Sequence, residues 1–106
     1  MRFGRRLILG GVVGQMILAG CVDPNAPGNT VQVLDNAFRP TQLTIPPGTM
    51  VYWIWNGQAP HDVSFGAAGG SVVQTTGQYE RAFPTAGTYN YTCTLHPGMD
   101  GRIIVQ

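Results

Sequence analysis

Lysine is absent from this 106-residue chain, and charge of either sign is scarce, with six arginines and five acids making up 10% of the residues. Three of the arginines (Arg2, Arg5, Arg6) fall in the first six positions, leaving three against five acids in the remainder. That balance excludes the basic surface a nucleic-acid binder needs. Cysteine is nearly missing as well, and Cys21 and Cys93 cannot by themselves staple a miniprotein. What the chain has in quantity is glycine and proline, fifteen and eight residues, a turn-rich balance that long helices rarely tolerate. A hydrophobic content of 43% with net charge near zero excludes a disordered chain. A compact, neutral, turn-rich single domain remains.

The first twenty residues read as a removable address. Met1–Arg6 is cationic, and Leu7–Ala19 is an apolar run ending at small residues, too short to span a bilayer as a helix. Leu18-Ala19-Gly20-Cys21 resembles the bacterial lipobox, in which the cysteine sulfur is acylated and the chain is cut just before it. An ordinary signal peptide followed by a chance cysteine is the plainer alternative. Arg5-Arg6-Leu7-Ile8-Leu9 also resembles a twin-arginine signal, although the usual Ser or Thr before the pair is Gly4, so general secretion and twin-arginine export both stay open. The expected organisation is a signal peptide over 1–20, a flexible tether over 21–29 and one domain over 30–106. So small a domain has a limited core and commonly draws on a metal or a disulfide.

From Thr30 onward, short β-branched and aromatic runs alternate with turn residues. Strands are expected at Thr30–Leu34, Gln42–Ile45, Thr49–Trp55, His61–Phe65, Gln78–Phe83, Thr88–Cys93 and Arg102–Val105. No window sustains a helical period, so the fold class is all-β, a sandwich or barrel. Residues Ala67–Thr76 carry no clear pattern. Alternation puts Val51, Trp53 and Trp55 on one face, and Tyr89, Tyr91 and Cys93 on another. Cys93 therefore points inward at the end of a strand, just before a loop.

That loop reads Cys93-Thr94-Leu95-His96-Pro97-Gly98-Met99, and Pro60-His61 lies about thirty residues upstream. His61 and His96 are the two histidines of the chain. One thiolate, two imidazoles and one thioether make up the donor set of a blue copper centre, in which the thioether bond is long and axial. Zinc would account for Cys and His but not for Met. Each residue also has a bland reading: an inert buried cysteine, a solvated histidine, a core methionine. A Cys21–Cys93 disulfide is conceivable only where Cys21 is not acylated.

These motifs resemble a cupredoxin of the plastocyanin/amicyanin type over most of the chain after Thr30. Asn36-Ala37-Phe38-Arg39-Pro40, Pro47-Gly48, Val51-Tyr52-Trp53-Ile54, Ala59-Pro60-His61 and Gly87 through Gly101 carry the likeness, with the short ligand loop of amicyanins. The resemblance implies an eight-strand Greek-key β-sandwich with one copper ion, cycling Cu(II)/Cu(I), under one pole. It implies His61, Cys93, His96 and Met99 as ligands, with His96 the exposed one, ringed by Ala59, Pro60, Leu95 and Pro97. The chain departs from the family at Asp62, where Asn is frequent, and at Gly98, where amicyanins carry a large aromatic. Leu95 replaces a proline of the amicyanin loop, and its N–H is expected to reach the Cys93 sulfur.

The function expected is one-electron transport by a monomeric lipoprotein, tethered through Cys21 to an extracytoplasmic, periplasmic-side membrane face. Redox proteins would be its donor and acceptor, docking near His96. No enzyme is expected, since neither an open coordination position nor an acid–base pair is visible. The alternative is a copper-binding or copper-delivery protein, and a redox subunit of a larger chain also stays open.

Overall fold

The computed structural model describes residues 28–106; the expected signal segment, Cys21 and nearly all of the tether lie outside the described residues. Seven strands are present among the described residues: β1 Thr30–Val33, β2 Phe38–Arg39, β3 Gln42–Ile45, β4 Thr49–Trp55, β5 Gln78–Phe83, β6 Gly87–Thr92 and β7 Asp100–Val105. They form a four-stranded sheet in the order β2-β1-β4-β5 and a three-stranded sheet in the order β3-β7-β6. β1 lies parallel to β4, and β3 crosses to the second sheet to lie parallel to β7. The other pairings are antiparallel.

Side-chain alternation builds the core between the sheets. In β4, Val51, Trp53 and Trp55 are all buried, as their spacing requires, while Tyr52 and Ile54 are partly exposed. β6 and the residue after it contribute Tyr91 and Cys93. Trp53 joins the layers: its ring lies 5.4 Å from Tyr91, 5.5 Å from Tyr79 and 5.9 Å from Phe65, centroid to centroid. Aromatic pairs at such distances add about 0.5–1.5 kcal/mol each beyond area burial. Burial also pushes the Tyr91 phenol up to about 12. Asn29 is not free chain, because its side-chain N–H donates to Met50 O at 2.7 Å and its carbonyl accepts from Tyr52 N–H at 3.0 Å.

One expected strand needs correction. His61–Phe65 is not a strand; it carries isolated bridges, His61 to Gln74 and Ser64 to both Gly70 and Thr92. It runs antiparallel to 69–74 across a short 3-10 turn at Gly66–Ala68, but the register shifts by a residue between the His61–Gln74 and Ser64–Gly70 bridges, so no continuous strand forms. The unpatterned stretch after Ala67 folds back through those bridges. The pair Phe38–Arg39, within the Asn36–Pro40 motif, forms a short edge strand.

Candidate metal centre

Cys93 leaves β6 pointing inward and is 2% exposed. The chain then turns tightly and returns into β7. Cys93 N–H donates to Met99 O at 2.9 Å, Met99 N–H to His96 O at 3.1 Å and His96 N–H to Cys93 O at 3.4 Å. Thr92 Oγ1 adds a bond to Met99 O at 3.1 Å. The backbone of Met99 is thereby clamped against Cys93, and its side chain is buried.

His61 comes from the other direction and is completely buried. Its backbone is held on both sides: its N–H donates to Gln74 O, and its carbonyl accepts from Gln74 N–H, each at 3.0 Å. The Trp55 indole N–H, at 3.1 Å, is a second donor to that carbonyl. Asp62 ties this segment to the ligand turn. Its Oδ1 accepts the Thr94 N–H at 2.7 Å and its Oδ2 accepts the Thr94 hydroxyl at 2.8 Å. Asp62 thus accepts two bonds from Thr94, where an amide would offer one acceptor oxygen.

Three potential ligand atoms converge within 4.8 Å of one another, those of His61, Cys93 and His96. Cys93 Sγ lies 3.7 Å from His61 Nδ1 and 3.4 Å from His96 Nδ1, and the two Nδ1 atoms face each other at 3.2 Å. His61 Nε2 is 3.1 Å from Asp35 Oδ1. A carboxylate can only accept, so Nε2 carries the proton and Nδ1 presents a lone pair to the cluster. Sulfur and nitrogen lone pairs packed this closely in a dry pocket need a shared proton or a metal ion between them. The donor set fits a soft or borderline metal ion, and a methionine buried at the close of the same turn favours copper over zinc. His96 is half-buried, the member of the trio that solvent reaches.

Of the residues named from the sequence, the structure gathers His61, Cys93 and His96 and buries Met99 at the close of the turn; Asp35, not named there, lies behind His61. Its Oδ1 also accepts the N–H groups of Gln58 and Ala59, each at 2.8 Å. The Ala59 N–H, then the His61 ring and the Gln58 N–H, hold its carboxyl below the usual carboxylate range. The expected bond from Leu95 N–H to the Cys93 sulfur is not among the hydrogen bonds of the described residues; the polar atoms on that sulfur are the two imidazole nitrogens. Leu95 itself is 40% exposed, and Pro60 and Pro97, the chain neighbours of His61 and His96, are exposed too.

A two-sheet β-sandwich with a Cys–His–His cluster at one pole defines the class of cupredoxins, copper proteins of electron transfer. The profile of the family described as copper binding proteins, plastocyanin/azurin family, matches residues 28–106, and the chain belongs to that family. Amicyanin of Paracoccus versutus is 38% identical over 72 residues, covering 61% of this chain and 54% of that protein. Amicyanin of Paracoccus denitrificans is 28% identical, over 91% of this chain and 86% of that one. Plastocyanin of Scenedesmus fuscus is 36% identical over 65% of this chain and 86% of its own length. Among solved structures, a reduced variant of amicyanin superposes with a TM-score of 0.64 at 29% identity, covering 73% of this chain and 80% of its own. A purple cupredoxin from Nitrosopumilus maritimus gives 0.64 at 26% identity, covering 73% and 98%. The cofactor is a single copper ion.

Proposed function

We propose that this protein is a one-electron carrier whose copper is held by His61, Cys93, His96 and Met99. The observation that carries the reading is the convergence of His61 Nδ1, Cys93 Sγ and His96 Nδ1 in one buried pocket. Bound copper would supply a one-electron Cu(II)/Cu(I) couple. Cys93 contributes a thiolate fixed at the end of a strand, and His61 a neutral imidazole whose ring is locked from behind. Met99 adds a thioether from the close of the turn. Because the turn is cross-bonded and pinned to Asp62, these side chains have little freedom to move when the charge changes. Half-buried His96, flanked in the chain by exposed Leu95 and Pro97, and with Pro60 exposed next to His61, provides the surface through which redox partner proteins would dock. Burial of Cys93 and His61 favours retention of the ion over delivery to another protein, and the proposal assigns the chain no catalysis of its own.

The test is spectroscopic. Copper-loaded protein is expected to show an intense thiolate-to-Cu(II) band and a narrow parallel hyperfine splitting. Cys93→Ser should abolish both, and Met99→Leu should keep the colour and raise the potential. A Cys93→Ser protein that stays coloured would refute the assignment.

The proposal extends to location: a mature lipoprotein beginning at Cys21, anchored on the extracytoplasmic face of a membrane and acting as a monomer. The lipobox resemblance supports it. Fractionation checks it, with wild-type protein expected in membranes and Cys21→Ala uncleaved or soluble. Soluble wild-type protein with a free N-terminus beyond Cys21 would overturn the anchor.

A further inference from the structure

We infer that Asp35 is a positioning residue of the metal centre: its carboxylate fixes the tautomer of His61, strengthens that imidazole as a donor and so favours the oxidised ion. The inference rests on the reading of His61 as a ligand.

Asp35 lies in the loop between β1 and β2, 26 residues before the histidine it holds. Its Oδ1 alone takes three donors: Gln58 N–H and Ala59 N–H, each at 2.8 Å, and His61 Nε2–H at 3.1 Å. Three donors on one oxygen exceed what the two lone pairs of a neutral amide oxygen serve well, and the charge of a carboxylate makes the arrangement favourable. The fit is close. A Cβ added at Gly57 would fall onto the Asp35 carboxylate, so the chain wraps the carboxylate tightly just before His61. The same oxygen thus sets where the Gln58–His61 segment runs and which nitrogen of His61 faces Cys93.

A metal-binding imidazole whose remote N–H donates to a carboxylate becomes a better electron donor, and losing such a partner commonly costs ten- to a hundredfold in metal affinity. Cu(II) needs that donation more than Cu(I) does, and a negative charge behind the ligand acts in the same direction. Asp35 is about half exposed, its side chain 46% accessible, so solvent screens part of the charge. The expected effect therefore sits at the lower end of that range.

The experiment uses the full chain loaded with copper, its midpoint potential measured by titrating the thiolate band. Asp35→Asn keeps the size and one acceptor oxygen but removes the charge. It should weaken Cu(II) relative to Cu(I) about tenfold, a rise of about 59 mV. Asp35→Glu restores the charge and should return part of the shift, which a purely structural loop contact would not do. On metal-free wild-type protein, long-range ¹H–¹⁵N spectra should show His61 protonated at Nε2, with that proton protected from exchange. A coloured Asp35→Asn protein with unchanged potential would overturn the inference. So would a wild-type His61 protonated at Nδ1, and that measurement stands even if the variants fail to fold. Wild-type protein that binds copper without the thiolate band would instead refute the ligand reading, and this inference with it.

Discussion

The turn from Cys93 to Met99 closes on itself, with each end bonded to the other through Cys93 N–H to Met99 O. The excursion from Asn56 to Thr76 has bonds of its own only from His61 onward, to Gln74, Ser71 and Gly69, and none of them joins its two ends. It is positioned also from outside, by Asp35 at Gln58, Ala59 and His61, by the Trp55 indole at the His61 carbonyl, and by Thr92 at Ser64. Three donors of the proposed centre come from the self-bonded turn and the fourth from the excursion. A centre built this way has one half specified locally and one half specified by the assembled fold. Disturbing the turn should therefore change the ligands themselves, and disturbing the supports of the excursion should change where His61 sits.

The largest effect is expected where the two segments are joined. Asp62 accepts both polar hydrogens of Thr94 and is itself 8% exposed. Asp62→Ala leaves the Thr94 N–H and hydroxyl without these acceptors and should cost about 2–3 kcal/mol, since bonds to charged groups are worth about 1.5–3 kcal/mol and some water will replace them. Asp62→Asn retains an acceptor for the Thr94 N–H, and the hydroxyl can rotate to accept from the amide, so its cost should stay below about 1 kcal/mol. Urea unfolding of metal-free protein checks both without the added stabilisation of a bound ion. Equal costs for the two variants would show that Asp62 is no clasp.

Next comes the outer support of His61. Trp55→Phe keeps an aromatic ring in the core but removes the indole N–H that reaches the His61 carbonyl at 3.1 Å. The carbonyl retains Gln74 N–H, so it is not orphaned. The loss should be about 1–2 kcal/mol, one hydrogen bond plus a little apolar area. The excursion should suffer more than the turn: amide exchange should quicken at His61 and Gln74 and stay unchanged at Cys93 and Met99. Uniform quickening would erase the distinction between the two segments.

That distinction also explains what could be read from the chain. The turn was legible because its chemistry is local; C-x-x-H-x-x-M places three donors within seven residues, and strand alternation sends Cys93 inward. Val51, Trp53 and Trp55 were legible for the same reason, a period of two in a buried strand. The excursion was not. Val63 and Phe65 have strand-forming side chains and pack with the core, yet the segment pairs out of step with 69–74, His61 opposite Gln74 but Ser64 opposite Gly70, so bridges form and no continuous strand. Asp35 gave no signal at all, since its partners lie 23 to 26 residues away and no periodicity connects them. Scarcity was the one available hint, Asp35 being one of only five acids.

Gly98 tests the turn from within. Its φ is 86°, and a Cβ built there meets nothing within 4 Å. Sterics with neighbours therefore do not oppose a side chain, and the cost is that of a left-handed conformation for an L-residue, about 1 kcal/mol. Gly98→Ala should lower the unfolding free energy of the metal-free protein by that amount and leave the band of the loaded protein in place. A lost band would mean that the turn depends on Gly98 for ligand geometry and not only for stability.

The smallest effect is expected at Leu95, and it separates two accounts of the turn. Proline carries no N–H, so Leu95→Pro removes a backbone donor two residues after the thiolate. Were that donor bonded to sulfur, its loss would increase the thiolate charge available to Cu(II) and lower the potential by tens of millivolts, as bonds to charged acceptors of about 1.5–3 kcal/mol and about 59 mV per tenfold imply. In the structure the polar neighbours of Cys93 Sγ are His61 Nδ1 and His96 Nδ1, and the turn's own bonds run through Cys93, His96 and Met99. The Leu95 N–H makes none of them. Leu95→Pro should accordingly leave both the potential and the band nearly unchanged, provided the fixed φ of proline is accommodated at this exposed position. The residue before it, Thr94, is the point of strain, because proline disfavours helical backbone in its predecessor and Thr94 must keep its two bonds to Asp62. A fall in potential would show that Leu95 donates to sulfur in the copper-loaded protein. A rise, with weakened Thr94–Asp62 contacts, would show that the excursion and the turn share their strain through Asp62.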